Sequence, residues 1–600
     1  MKKISIKKFS IALLGLVFAL VTVFACINFS RPAIAQDAVA PVAVEDVNIQ
    51  MEEGASVRVA NDGVYGLKFT ATISEQEYLG LLANTDYSFV EFGMFIMPFD
   101  YVATYGDLTK TNLFGESAVY DWATWENDEW VYNGEKTQII KIYAYELSKN
   151  LDGAYEITGS VSDIKEENIA RNFVARAYVQ AGDEVELASY YNGEQGNNVN
   201  SIAYVAQKAV ETFKGNENFS AISAWLTENY INKSVKDISN TDFGYIDRSS
   251  AETSYTFKLA DGVKATRITT DNYVEVPFTC ENSVISVEKA VVDGGLSASA
   301  LVKGENFFYI HTVDTNGEKP VYSVNKVCIV IADKVVMQSD FQERKITSTT
   351  AENAFDKYSS GYIALGEDVD LGEMSWRLFS DSGQELSGTF DGRGHKLTVD
   401  VTKHANHANL IAVSYGTVKN VFADIRGGHK SGTGTTSTAF IGVSYGHVDN
   451  VYVRYTFTKD YTTSGKSNTG CIVGEFRKNS SIPTISNCMA EIIVTDVTKT
   501  QYIGTIVGCD YTSDGKVENC YGFTNGLELQ HTGKGNKICY NATATKKDFA
   551  TCENFDNYNA FEASGITLTA ENGWSKFWTL DTENNVIKMG NNVVLSAPVA

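Results

Sequence analysis

The stretch that decides the fold is a repeat in the last third of the chain. Its first copy is LIAVSYGTVKNV at residues 410–421, and its second is FIGVSYGHVDNV at residues 440–451. Looser copies end as ISNC at residues 485–488 and VENC at residues 517–520. A constant motif separated by spacers of variable length predicts stacked rungs with loops of different lengths between them.

Each copy carries apolar residues on both sides of its asparagine, and the asparagines fall at positions 420, 450, 487 and 519. Asparagine tolerates the left-handed backbone that a sharp corner requires, and stacked asparagine side chains can hydrogen-bond from rung to rung. The pattern therefore predicts a parallel β-helix over residues 346–600, with a short helical cap at residues 348–358. Its inward columns are predicted to hold Val418, Val421, Val448, Val451, Ile485, Cys488, Val517 and Cys520.

The start of this region carries a resemblance to a known family. The segments GYIAL (361–365), DVDL (368–371) and GTFDGRGH (388–395) resemble the opening of the GLUG-type β-helical repeat regions of bacterial surface and secreted proteins. GWSKFWTL at residues 573–580 resembles their closing segment, so the resemblance covers about residues 355–590. The namesake Gly-Leu-aromatic-Gly is replaced here, by Ile411-Ala412-Val413 in the first copy. The resemblance implies a right-handed coil and surface display or adhesion, and assigns no catalysis.

Two regions precede the repeats. Residues 50–245 combine alternating and apolar strand patterns with two helical patterns, at 201–213 and 220–231, which predicts an α+β domain. Its segments GLKF and ARAYV resemble a segment of secreted Gram-positive proteins. Residues 252–345 contain short β runs separated by turn signals, which predicts an Ig-like β-sandwich. The predicted fold class is thus mainly β and multidomain.

Cysteine usage leaves two pairings open. A disulfide is possible between Cys280 and Cys328, although no tryptophan of an immunoglobulin pattern lies between them. Cys488 and Cys520 are interpreted as buried apolar residues, with a disulfide as the alternative. The uneven distribution, with no cysteine from residue 36 to 279, indicates domains that rest on hydrophobic cores.

Residues 1–35 are predicted to be a secretory signal. They hold five cations and no acid, then an apolar run and small residues at Ala33 and Ala35, so cleavage is expected after Ala35. Lipid anchoring at Cys26 is an alternative. No second long apolar stretch follows, so no transmembrane span is predicted after the signal. The location is therefore predicted to be extracellular or at the cell surface.

The net charge of −24 bears on the choice of partners. A field of that sign repels phosphate backbones and anionic lipid, so nucleic acid is excluded as a partner. The sequence does not determine the oligomeric state.

Metal and cofactor motifs are weak, and we predict neither a metal site nor a cofactor. The His-Glu-x-x-His motif of zinc peptidases is absent. His404 and His407 have a ligand-like spacing, and His395 and His429 lie nearby in sequence, but solvated loop residues explain all four. The segment from Asp368 to Glu373 has its glycine one position too early for an EF-hand loop.

Catalysis is an alternative because β-helices host polysaccharide hydrolases and lyases. Such enzymes need carboxylates at fixed separation. However, the chain has no Asp-Asp pair and no Gly-His-Gly, so no catalytic residue is predicted. The carboxylates that an enzyme would use are Asp391, Asp424, Asp449, Glu475, Asp510 and Glu518.

The strongest sequence signal for binding lies in the first region. Trp122, Trp125 and Trp130 fall within nine positions, flanked by Tyr120 and Tyr132 and interspersed with carboxylates. Flat aromatic faces beside carboxylates suit sugar rings, so these tryptophans are the predicted ligand-binding residues. A hairpin whose aromatic residues pack onto the core is the alternative.

Together these features predict an exported, non-catalytic bacterial protein of the Gram-positive type. Its expected role is adhesion or binding of an extracellular glycan or a host or cell-surface protein. The alternatives are a secreted polysaccharide hydrolase or lyase and a structural component of the cell envelope. Exposed aromatic residues in a row would favour the binding protein, and clustered carboxylates beside a groove would favour the enzyme.

Overall fold

A computed structural model describes residues 39–566 and three later strands, with interior gaps. The predicted signal and the histidines at 404, 407 and 429 lie outside the described residues. The chain divides into two compact units, Met1–Ile164 with Asn172–Val205, and Lys165–Arg171 with Ala206–Ala600. The gaps within 39–566 are 59–65, 116–120, 127–128, 134–138, 145–146, 163, 191–198, 240–242, 296–300, 318–319, 343–353, 375–376, 380–384, 403–407, 428–437, 459–468, 495–502, 513–514 and 527–550.

In its described residues, the first unit contains two sheets and three short α-helices. Sheet A has the order β1-β3-β9-β8 with β2 on β3, and sheet B has the order β11-β10-β4-β7-β5-β6 with β12 on β10. The elements are β1 (Gln50–Met51), β2 (Ser56–Arg58), β3 (Gly66–Ile73), α1 (Glu75–Ala83), β4 (Val90–Pro98), α2 (Val102–Tyr105), α3 (Lys110–Phe114), β5 (Asp121–Glu126), β6 (Glu129–Asn133), β7 (Ile140–Tyr143), β8 (Ser148–Lys149), β9 (Tyr155–Ser162), β10 (Phe173–Ala181), β11 (Glu184–Leu187) and β12 (Val199–Asn200).

Sequence explains why these elements form where they do. The apolar run within β4 is a central strand, paired on one side with β10 and on the other with β7. A capping box between Ser74 and Glu77 starts α1, because each side chain satisfies a backbone N–H that the first helical turn leaves without a partner.

The second unit resumes within the helix Ile202–Thr212 and continues with further helices and two sheets. Sheet C has the order β13-β20-β19-β16 with β14 on β20, and sheet D has the order β15-β18-β17. Both predicted helices are present, and the second continues into a π-helical turn at Thr227–Ile231. The elements are α4 (Ile202–Thr212), α5 (Ser220–Leu226), α6 (Asn232–Ser234), β13 (Val235–Asp237), β14 (Gly244–Asp247), β15 (Ser254–Lys258), β16 (Val263–Thr270), β17 (Thr279–Glu281), β18 (Val284–Glu288), β19 (Gly304–Asp314), β20 (Val321–Ala332) and β21 (Lys334–Val336).

The strand pairing of sheet C does not follow the bounds of 252–345 that the sequence predicts for the sandwich. Strands β13 and β14 precede that range, yet both pair in parallel with β20. Strand β21 falls within the range, yet it pairs with the first strand of the repeat region. The partners of β13 and β14 are distant in sequence, and β21 pairs with a strand of the next region. Local turn signals therefore do not predict these pairings. Cys280 lies in sheet D and Cys328 in sheet C, and both are free thiols.

His311 on β19 is buried against α4. Its Nε2 lies 3.3 Å from Oε1 of Gln207, and only 5% of the residue is exposed. Burial, followed by the positive charge of Arg267, lowers the pKa of His311 from 6.5 to about 3. The folded protein therefore holds a neutral imidazole where the unfolded chain would bind a proton.

We predict that the stability of this unit falls as the pH decreases from about 6.5 towards 3. The unfolded state takes up a proton on His311 in that window and the folded state does not, so protonation favours unfolding. In His311→Gln the fall between pH 7 and pH 4 should be smaller than in the wild type. Scanning calorimetry of both proteins at both pH values measures this difference. An equal fall in both would contradict the assignment.

The repeat region forms sheets E, F and G, and the strands Trp578–Asp581, Val586–Met589 and Leu595–Ser596 form a separate antiparallel sheet. Their orders are β21-β22-β24-β27-β30-β34-β38 for E, β23-β25-β28-β31-β35-β39-β40 for F, and β36-β32-β29-β33-β37 for G with β26 on β29. The elements are α7 (Ser339–Gln342), α8 (Ala354–Lys357), β22 (Tyr362–Leu365), β23 (Val369–Glu373), β24 (Thr389–Asp391), β25 (Lys396–Asp400), β26 (Ala408–Ser414), β27 (Thr417–Lys419), β28 (Phe422–Gly427), β29 (Thr438–Ser444), β30 (His447–Asp449), β31 (Tyr452–Phe457), β32 (Thr469–Gly470), β33 (Val473–Phe476), β34 (Thr484–Ser486), β35 (Met489–Val494), β36 (Ile503–Gly504), β37 (Val507–Asp510), β38 (Lys516–Glu518), β39 (Tyr521–Phe523), β40 (Glu553–Phe555), α9 (Tyr558–Ala563), β41 (Trp578–Asp581), β42 (Val586–Met589) and β43 (Leu595–Ser596).

Successive copies of the repeat lie beside one another in these sheets. From β27 onward the chain passes through sheets E, F and G in turn, and the strands of successive passes pair in parallel. The eight predicted column residues are all buried in one apolar core. Phe355 of α8 is buried in the same core, while the earlier part of the predicted cap helix lies outside the described residues.

The four asparagine corners adopt the predicted left-handed backbone, and two of the three predicted hydrogen bonds between their side chains are present. Asn420, Asn450 and Asn487 have φ of 54°, and Asn519 has φ of 50°. Asn450 donates to Asn420 at 2.8 Å, and Asn519 donates to Asn487 at 3.3 Å. Between these two pairs the ladder changes partner.

At that break, Nδ2 of Asn487 donates to the carboxylate of Asp449 at 2.9 Å instead of to Asn450. A carboxylate is the stronger acceptor, which explains the change of partner. The structure also shows a rung that the sequence did not reveal. Strand β40 pairs with β39, and Asn519 N donates to Thr551 Oγ1, the residue at the asparagine position.

Candidate functional site

A row of four side chains follows the corner at which the chain leaves sheet G. The parallel register aligns Ser444 with Ser414 and with Phe476, and Phe476 with Asp510. The next residue in each rung therefore occupies an equivalent position. We call this row, Tyr415, Tyr445, Arg477 and Tyr511, the corner stripe.

The members of the corner stripe contact one another from rung to rung. The rings of Tyr415 and Tyr445 stack with centroids 4.7 Å apart and an interplanar angle of 12°. Arg477 follows Tyr445 in the row, and its guanidinium carbon lies 5.2 Å from the ring centroid of Tyr511. Tyr415 is 44% exposed and Tyr511 is 46% exposed. The stripe is therefore a continuous, ordered and solvent-accessible surface.

Glycines after the tyrosines allow this close stacking. A Cβ added to Gly416 would lie 1.9 Å from the carbonyl oxygen of Gly388, and one added to Gly446 would lie 1.9 Å from that of Gly416. Any side chain there would push the rungs apart. The Tyr-Gly pairs of the repeat thus place two rings at the spacing of adjacent strands, about 4.8 Å.

A buried carboxylate fixes the arginine of the stripe. Glu475 is 4% exposed, and its Oε2 accepts from Nε of Arg477 at 2.7 Å and lies 2.6 Å from the other guanidinium nitrogen. This two-point contact holds the plane of the guanidinium and neutralises its charge. The stripe therefore presents aromatic edges, phenol hydroxyls and a paired cation.

Asp391 anchors the asparagine ladder and is nearly inaccessible. It is 1% exposed and accepts hydrogen bonds from Tyr362 Oη at 2.5 Å, Arg393 N at 2.9 Å and Asn420 Nδ2 at 3.0 Å. Nζ of Lys419 lies 3.5 Å away. Burial, then the charge of Asp391, raises the pKa of Tyr362. The phenol therefore stays protonated as a donor to this carboxylate.

The other carboxylates considered for catalysis are spread over the three sheets. Asp424 on sheet F pairs with Lys396 at 2.7 Å, and Asp449 on sheet E accepts from Ser486 Oγ at 2.7 Å. Asp510 on sheet G accepts from Thr512 N and Oγ1, both at 2.7 Å. Glu518 on sheet E is exposed. Apart from Glu518, each has a partner that explains its place in the fold.

Residues considered for metal binding take part in local structure. Asp370 Oδ1 accepts from Gly372 N at 2.8 Å, and Asp368 accepts from Lys396 N at 2.9 Å and lies 3.4 Å from His395. Within the described residues, no group of three or more His, Cys, Asp or Glu could hold a metal ion.

The predicted tryptophan site falls on the hairpin of β5 and β6. The backbone register pairs Trp125 with Trp130, and Trp122 with Asn133. The placement of the three tryptophan side chains lies outside what the structure describes, so their role remains a prediction.

Comparison with known proteins adds no assignment: no family model and no curated protein matches the chain. The resemblance to GLUG-type repeats therefore remains a prediction. None of the helices in the described part of the chain is long and apolar enough to cross a membrane.

The corner stripe was not predicted from the sequence, although part of its signal is present there. Tyr415 and Tyr445 occupy the same position in the two clear copies of the repeat. Arg477 and Tyr511 lie in the looser copies, where only the strand register shows that they continue the row.

The free energy of unfolding of an Asp391 variant tests whether this carboxylate has a structural role. We predict that Asp391→Ala destabilises the second unit by about 3 kcal/mol, because it removes a buried charge and the acceptor of three hydrogen bonds. The matched control is Glu518→Ala on the same sheet, which should change stability by about 0.5 kcal/mol or less because the residue is exposed. Urea unfolding of both variants measures the difference. Stability of Asp391→Ala equal to that of the control would refute the anchoring role.

Proposed function

We propose that this chain is an exported bacterial protein, secreted or retained at the cell surface, that binds an extracellular glycan or protein without catalysing a reaction. The N-terminal charge and apolar pattern support export. We further propose that its fold comprises an α+β domain, an Ig-like sandwich and a right-handed parallel β-helix related to GLUG-type regions. The in-register parallel sheets E, F and G support the β-helix.

The corner stripe is the observation that carries the binding proposal. It places two half-exposed tyrosines at the ends of a row, with Tyr445 and Arg477 between them. Three rung intervals of about 4.8 Å give a row roughly 14 Å long. That length suits several residues of an extended glycan or peptide lying along the stack.

The geometry also limits how a ligand would be held. One face of Tyr415 is covered by Tyr445, and the ring of Tyr511 packs against Arg477. Stacking of a sugar ring is therefore expected at the two ends of the row, with hydrogen bonds to phenol hydroxyls between them. Because neighbours fix all four side chains, binding orders few rotamers and loses little entropy.

The arrangement of carboxylates favours binding over hydrolysis. Asp391 is buried and hydrogen-bonded, and Glu475 is committed to Arg477. Cleavage of a glycosidic bond needs an acid and a base or nucleophile on either side of the substrate. Neither carboxylate is placed to serve as such a group without losing its structural partner.

The test is retention on a panel of immobilised polysaccharides and mucin. We predict that the wild-type chain is retained on at least one member, and that the double variant Tyr415→Ala/Tyr511→Ala binds it at least tenfold more weakly. A tenfold loss corresponds to about 1.4 kcal/mol, within the range for two aromatic contacts. Calorimetric midpoints should be unchanged within a few degrees.

The matched control is Tyr105→Ala, which removes a tyrosine of 39% exposure from the first unit. It should bind like the wild type. Equal binding by the double variant, or no retention on any member, would refute the proposed site. Oligosaccharides newly released from a panel member, detected by mass spectrometry, would assign an enzyme instead.

A further inference from the structure

Three cysteines occupy the same position in successive rungs of sheet F. Cys488, Cys520 and Cys552 recur at an interval of 32 residues, each directly before the strand of its rung. The following residues pair in parallel register, Met489 with Tyr521 and Tyr521 with Glu553. The three cysteines therefore form a column, which we call the thiol column.

The sulfur atoms of this column take equivalent positions above the preceding rung. Sγ of Cys520 lies 3.8 Å from the carbonyl oxygen of Ile485, and Sγ of Cys552 lies 3.5 Å from that of Val517. Backbone hydrogen bonds join the rungs beside these cysteines. Tyr521 N donates to Cys488 O at 2.9 Å, and Glu553 N donates to Cys520 O at 3.2 Å. In-register neighbours in adjacent parallel strands lie at a Cα separation that a disulfide accepts.

Access to the column differs from one end to the other. Cys488 and Cys520 are fully buried, whereas Cys552 is partly exposed and only borders the core. A soluble reagent therefore meets Cys552 first. Cys520 lies behind it as the neighbour that can resolve a bond formed there.

We propose that Cys520 and Cys552 form an oxidative modification site, at which a low-molecular-weight disulfide converts two thiols into one cystine. The thiolate of Cys552 attacks the reagent disulfide and releases one reagent thiol, which leaves a mixed disulfide. The thiolate of Cys520 then attacks the sulfur of Cys552 and releases the second reagent thiol. Two protein thiols are oxidised and one reagent disulfide is reduced to two thiols, so atoms and electrons balance.

The local environment sets the conditions for this reaction. Burial, then the neighbouring thiol of Cys488, raises the pKa of Cys520. The neighbouring thiol of Cys520, then burial, raises the pKa of Cys552. Both groups are thiols at neutral pH, and since the thiolate is the nucleophile, exchange should be slow there and faster at mildly alkaline pH.

The product would tie two rungs whose cysteines lie 32 residues apart in the sequence. The bond would close a loop from residue 520 to residue 552, which lowers the entropy of the unfolded chain. Oxidation is therefore expected to stabilise the end of the stack that carries β39 and β40. The proposal is independent of ligand binding at the corner stripe.

The test treats the purified full chain with oxidised glutathione at mildly alkaline pH. Free thiols are then alkylated under denaturing, non-reducing conditions, and peptides are mapped by mass spectrometry. We expect a cross-linked peptide joining Cys520 to Cys552, and a calorimetric midpoint a few degrees above that of the reduced protein. In Cys552→Ser the cross-link and the shift of the midpoint should both disappear, with Cys520 alkylated.

The matched control is Cys488→Ser, at the other end of the column, which should leave the cross-link in place. The proposal is overturned if Cys520 and Cys552 both remain alkylated, if Cys552 retains glutathione without joining Cys520, or if either links to any other cysteine. An unfolded variant would be recognised by its far-ultraviolet circular dichroism, and peptide mapping of the wild type alone then decides the result.

Discussion

The structure of the repeat region depends on a hydrogen-bonded corner. Asp391 accepts from Asn420, and Asn420 accepts from Asn450, each asparagine in the left-handed conformation. A strand alternates its side chains, so a slip of one residue between rungs would turn the apolar columns outward. The four asparagine corners prevent such a slip because each combines a left-handed backbone with a hydrogen bond to an acceptor in the preceding rung. The apolar core supplies most of the stabilisation, and the corners specify the register.

The same register creates the surface features. Gly416 and Gly446 let adjacent rungs approach closely, and the rings of Tyr415 and Tyr445 then stack at strand spacing. The thiol column arises in the same way on sheet F. When repeats stack in register, the residues at one position of the repeat form a row, either on the surface or in the core. Function in such a chain is therefore expected along lines of equivalent positions, and not within a single loop.

The sequence predicted features that depend on local chemistry and missed those that depend on distant pairing. Asparagine at a corner and an apolar residue on each side of it are local signals, and the backbone conformation and the burial that they predict were both confirmed. The partner of Asn487 was not predictable, because the choice of Asp449 over Asn450 depends on the geometry between two rungs. Strands β13 and β14 precede the range predicted for the sandwich, and their pairing was not predictable because the partner strand lies 85 to 89 residues later. Tyr511 was overlooked because the looser copies define no register without the pairing.

Hydrogen exchange in an Asn450→Ala variant tests the central claim most directly. If the corners hold the stack in register, then the loss of one corner should speed amide exchange in β30 and, by a similar factor, in its neighbours β27 and β34. Peptides from the first unit should exchange at wild-type rates. Acceleration confined to the residues around position 450, with β27 and β34 unchanged, would show that the rungs are stabilised independently and would contradict this account.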